Sequence, residues 1–142
     1  GADWLTFDGM LGPGYRIGVS ISEVLDGLSY TLMVGERPPP DNFQAGRWYS
    51  GSATLGWGYM PGPDSVMFVE VMGPPRGNCL PPFFFSVGRL DNPCDRWHFW
   101  SLHPGGAHFL FADGSARFLA YTAKDLMPAL ATRAGGEKVM LD

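Results

Sequence analysis

The stretch over residues 97–119, WHFWSLHPGGAHFLFADGSARFL, constrains this chain more than any other. Asp113-Gly114 lies between two apolar-rich runs, which is the arrangement of a β-hairpin. Such a dipeptide suits a two-residue type I′ turn, whose central residues both need φ > 0; glycine supplies this freely and aspartate tolerates it. That turn places Phe111 opposite Ala116, Leu110 opposite Arg117 and Phe109 opposite Phe118. One face is then expected to carry Phe109, Phe111, Ala116 and Phe118 towards a core. The other carries His108, Leu110, Arg117 and Leu119. A one-residue slip would expose phenylalanines, so a firm register is expected.

Around the hairpin the chain reads as short elements separated by turns. Ser22 is expected to cap a helical turn that Gly27 stops, followed by a buried strand over residues 31–34 that ends at Glu36. Pro38-Pro39-Pro40 forms a stiff, exposed break. Residues 47–60 mix glycine and aromatics, with Leu55, Trp57 and Tyr59 on one face and Gly56 and Gly58 on the other. A second strand is expected over residues 66–72. Residues 73–96 form a long Pro-rich excursion holding both cysteines, and a loop of that length is usually functional or stapled. After the hairpin, Thr122-Ala123-Lys124-Asp125 has the pattern of a capping box. Pro128 forbids one long helix, so a short turn precedes a helix from Pro128 to Arg133, closed by Gly135-Gly136. Residues 139–141 are expected to add an edge strand.

With 142 residues, the chain is expected to be a single globular domain over 1–142. Its 20 glycines and 13 prolines favour turns over long helices, and 14% aromatics favour strands. No βαβ alternation is present, so the fold class is antiparallel α+β: a β-sheet with short helices. The net charge of −4, without any Lys/Arg cluster, argues against nucleic acid and anionic membrane surfaces as partners. No run approaches the roughly 18 apolar residues that a membrane span needs, and residues 1–20 lack a signal-peptide layout.

Few residues suggest chemistry. His98, His103 and His108 are spaced by five, which puts neighbours on opposite faces of a strand and well apart on a helix. The HExxH spacing and a second cysteine pair are missing, so zinc is not expected. His103, just before Pro104-Gly105-Gly106, is expected to hydrogen-bond backbone and pin that loop beside the hairpin; His108 is read as a packed or surface residue. Asp91, Asn92 and Asp95 form an oxygen-rich loop and are the candidate calcium ligands. Their spacing matches no EF-hand, and an Asx turn beside Pro93 is the stronger reading. No G-x-S-x-G occurs, no cysteine has catalytic surroundings and no carboxylates are paired. No catalytic residue is assigned, and the chain is read as not an enzyme. Trp48, Trp57, Trp97 and Trp100 stand in apolar surroundings where core packing is the usual fate.

Nine residues separate His103 from Asp113-Gly114, and the segment resembles the prepilin-type-processing-associated H-X9-DG domain of pseudopilin-like proteins. Residues 22–36, SEVLDGLSYTLMVGE, resemble that family's DG-x-S-N-T-L-M-V-G-E block, with Tyr30 where the family has Asn. Residues 129–137, ALATRAGGE, resemble its ending. The resemblance implies the soluble head of an exported subunit, periplasmic or at the cell surface, in a type II secretion or type IV pilus-like assembly. Its partners would be proteins, in a homo-oligomer or filament. Members begin with a basic leader and a long apolar helix, whereas this chain begins Gly1-Ala2-Asp3-Trp4. It is therefore read as the C-terminal globular part, reaching a membrane only through such a helix. Export in turn implies a Cys79–Cys94 disulfide, whose loop closure is worth about 3 kcal/mol. Two unrelated buried thiols in a cytosolic protein are the alternative. Pseudopilins also include calcium-binding members. The runner-up function is an extracellular carbohydrate- or solute-binding module using Trp48, Trp57 and Tyr59.

Overall fold

The computed structural model describes residues 9–10, 19–39, 70–71, 78–80, 82–137 and 139. Its strands are β1 (Leu32–Gly35), β2 (Glu70–Val71), β3 (Phe83–Phe84), β4 (Gly106–Phe111) and β5 (Ala116–Ala120). Strands β1, β4 and β5 form an antiparallel sheet in that order, and β2 pairs antiparallel with β3. One short helix, α1 (Met127–Ala131), and several 3-10 turns complete a small α+β fold.

The β4–β5 hairpin forms, but not in the expected register. His108 pairs with Phe118, Phe109 with Arg117 and Leu110 with Ala116. The connection therefore has three residues rather than two. Gly114 N–H donates to Phe111 C=O at 3.0 Å and Phe111 N–H to Ser115 C=O at 2.9 Å, with Gly114 left-handed at φ 84°. A turn followed by a left-handed residue is the usual three-residue hairpin loop, and it accepts the same Asp-Gly as the two-residue one. The slip inverts only β5. Phe118 stands 45% exposed beside His108, while Leu119 enters the core at 7%. Leu119 on the core side lets Arg117 lay its guanidinium over the Phe111 ring, 4.5 Å from the centroid.

The core lies on the sheet face that holds Leu32, Ala107, Phe109, Phe111 and Leu119, closed by Phe85, Met127 and Leu130. Phe85 meets Phe109 edge-on at 5.2 Å, a geometry that adds to burial. Each fully buried side chain of this size contributes about 1.5–3 kcal/mol. Gly35 alternates inward between Val34 and Glu36, and its missing side chain leaves room for the rings of Phe109 and Phe99. Pro128 sits in the first turn of α1, where its absent N–H costs nothing.

Other expectations shift by a residue or two. Ser20, not Ser22, precedes the first 3-10 turn, Ile21–Glu23, and its N–H donates to the Glu23 carboxylate at 2.8 Å. Gly27 has a positive φ, 95°, but with ψ 135° it is not the expected left-handed stop: the first turn closes at Val24, and Gly27 instead leads into the next 3-10 turn, Leu28–Tyr30. The 3-10 turn Tyr121–Leu126 has no side-chain cap at its start, so the capping box at Thr122 does not form. The 66–72 strand is described only as Glu70–Val71. Val139 packs on the core outside any strand, and residues 140–142 lie outside the described residues, as do 47–60. Cys79 and Cys94 are joined as a disulfide and pack with Phe83 and Trp97 in a second cluster. Among the described residues no helix is long and apolar enough to cross a membrane.

Candidate functional site

The outer face of the sheet brings three chemistry-bearing side chains together. Beyond β1, Glu36 continues the ladder: its N–H donates to His108 C=O at 3.2 Å, placing the two residues directly opposite. The His108 N–H then donates to Glu36 Oε2 at 2.6 Å. Trp100 N–H donates to Glu36 C=O at 3.2 Å, so the acid is held on both sides. His103 comes from the turn before β4. There Ser101 Oγ donates to Gly106 C=O at 2.7 Å and accepts the His103 N–H at 2.9 Å. Ser101 thus pins the loop, the task expected of the His103 ring. That ring instead faces Glu36, with Nε2 3.6 Å from Oε1, while His108 Nδ1 lies 3.4 Å from Oε2. The two imidazoles meet edge to face at 4.9 Å, and Phe118 meets His108 edge to face at 5.2 Å. All three side chains reach solvent.

Among the described residues, Glu36, His103 and His108 are the one group of three side chains able to offer a metal ion a donor each, all within 4.8 Å of one another. A spacing of five keeps side chains apart only within one continuous element. His103 stands in a turn and His108 on a strand, so the chain between them bends and the rings converge. Glu36 was legible as a strand end, but its partnership with residues about 70 positions away required the β1–β4 pairing.

The motif acid, Asp113, works inside the hairpin. Its Oδ1 accepts the Ser115 N–H at 2.8 Å and the Ser115 hydroxyl at 2.6 Å; Arg117 reaches Oδ2 at 3.2 Å. The Ser115 hydroxyl and N–H, joined by the Ser29 hydroxyl, hold the Asp113 carboxyl down to about 2. Asp113 N–H donates to Leu28 C=O at 3.1 Å, tying the hairpin tip to the preceding 3-10 turn. Gly114 supplies the left-handed residue. A third acid, Asp26, accepts the N–H groups of Gly135 and Gly136 at 2.7 and 2.8 Å and fastens the C-terminal loop.

The disulfide loop uses its polar groups on itself. Asn92 Oδ1 accepts the Cys94 N–H at 3.1 Å, which is the Asx turn expected at Pro93. Asp95, buried, accepts from Arg89 N–H at 2.7 Å, from Asn92 Nδ2 at 2.9 Å, and lies 3.1 Å from Nε2 of buried His98. Asp91 grips Arg89 at 2.6 Å, and the guanidinium holds its carboxyl below the usual range. These contacts account for Asp91, Asn92 and Asp95 as loop-folding groups. Trp97 and Trp100 are buried as expected; Trp48, Trp57 and Tyr59 lie outside the described residues.

No match was found among curated proteins or among solved structures. The profile of a family described as "Protein of unknown function (DUF1559)" matches residues 1–125, most of the chain, and the chain belongs to that family.

Proposed function

We propose that this chain is a non-enzymatic structural and interaction domain: the head of an exported, pseudopilin-like subunit of a secretion or pilus-like assembly. The observation that carries this reading is the use made of the signature acids. Asp26, Glu36 and Asp113, each in a block that resembles the pseudopilin-like family, all accept backbone N–H groups from another part of the chain or from the hairpin itself. Residues used in this way fix a scaffold. The disulfide supports export, because such bonds persist in oxidising compartments.

The contact surface is the outer face of the β1-β4-β5 sheet. Val34 and Phe118 stand on it, each roughly half exposed, with Leu110 between them. An antiparallel sheet commonly turns one face to water, but that face is then polar. Apolar side chains there suit a second copy of the chain. The test is light scattering after size-exclusion chromatography over a rising concentration series. The reading expects discrete homo-oligomers that Phe118→Ser reduces to monomer while the fold persists. A parent chain that stays monomeric at millimolar concentration would overturn it.

A further inference from the structure

We infer that Glu36, His103 and His108 form a binding site for a divalent transition-metal ion of the zinc class. The convergence of three donor atoms, one from each side chain and all within 4.8 Å of one another, carries the inference. At 3.4 and 3.6 Å the imidazole nitrogens are too far from the Glu36 oxygens for good hydrogen bonds. Each spacing is that of two donors around a shared ion; the two run to different Glu36 oxygens, so the carboxylate turns to offer one of them to both imidazoles. Zinc binds imidazole nitrogen and carboxylate oxygen at roughly 2.0–2.2 Å, which sets donors on a tetrahedron roughly 3.3–3.5 Å apart. Two imidazoles and one carboxylate are a donor set that zinc proteins use with the fourth position left to water. Nitrogen-rich sites favour zinc, copper or nickel over calcium and magnesium.

The site is also prepared for a ligand. The His108 N–H held on Glu36 Oε2 orients the carboxylate, the kind of outer support that tunes metal sites. Glu36 and His108 are fixed by the sheet ladder, and His103 by the Ser101-pinned turn. Only side-chain rotations are needed to bring the three donors together. The geometry names the binding atoms: Nε2 of His103 and Nδ1 of His108.

The test is zinc titration of chelator-treated protein by calorimetry, with long-range proton–nitrogen NMR of the imidazoles. One equivalent of zinc should bind, shifting Nε2 of His103 and Nδ1 of His108 and leaving buried His98 unmoved. Because the chain has three histidines, the assignment is unambiguous. H103A, H108A and E36Q should each weaken binding by about tenfold or more. All three sites are solvent-facing, so circular dichroism of the metal-free variants should match the parent. No binding, binding unaffected by these variants, or shifts confined to His98 would each overturn the proposal. Oligomeric state is read separately, so failure of the assembly reading does not decide this one.

Discussion

His108 donates its backbone N–H to Glu36 Oε2 at 2.6 Å, joining residues 72 positions apart across the β1–β4 ladder. Next to this pair Gly35 faces the core, and a Cβ there would lie 2.5 Å from Phe109 Cε1 and 2.7 Å from Phe99 Cδ1. Both rings are held by packing against each other at 5.4 Å. Gly35→Ala should therefore destabilise by about 1–3 kcal/mol, the usual cost of overfilling a packed core. Urea unfolding checks this, and an unchanged midpoint would count against the placement of Gly35.

The hairpin register makes a sharper prediction. Nothing lies within 4 Å of a Cβ added to Gly114, so a substitution there costs only the left-handed backbone. Gly114→Val should lose about 1–2 kcal/mol and Gly114→Asn less. In the parent, cross-strand NMR contacts should pair His108 with Phe118. Contacts pairing Phe109 with Phe118 would restore the two-residue loop.

Asp113 predicts a pH dependence. Its carboxyl is held at about 2, below the ordinary 3.8, first by the Ser115 hydroxyl and then by the Ser115 N–H. A carboxyl depressed by folding stabilises the protein above its unfolded value and loses that contribution as pH falls through its folded value. The difference in thermal midpoint between parent and Asp113→Asn should accordingly be full above pH 4 and shrink between pH 4 and 2. A difference that grows on acidification would contradict the arrangement.

The Cys79–Cys94 bridge closes a loop containing Phe83 and packs with Phe83 and Trp97 as a small satellite core. Thiol titration of the unfolded, unreduced protein should find none, and replacing both cysteines by serine should cost about 3 kcal/mol. Two titratable thiols would exclude the bridge.

What the sequence disclosed follows a physical line. Strand β1, the hairpin, the helix around Pro128 and the Asx turn at Asn92 all rest on local propensities, and those are legible. The hairpin register was not, because Asp-Gly serves both loop lengths. The choice turned on whether Leu119 or Phe118 fits against Phe109, a packing question. The Glu36–His103–His108 group was hidden for a different reason. Its members meet through a ladder between distant strands, and the spacing of histidines within one stretch says nothing of that. The fastening of Gly135 and Gly136 by Asp26 is long-range in the same way.

The central claim is that the signature acids hold backbone amides. Amide hydrogen exchange measured by NMR tests it most directly, at His108, Ser115, Gly135 and Gly136 together. The account predicts protection at all four, with Asp26→Ala freeing Gly135 and Gly136 while His108 and Ser115 stay protected. Exchange at unfolded-chain rates for these amides in the parent protein would contradict it.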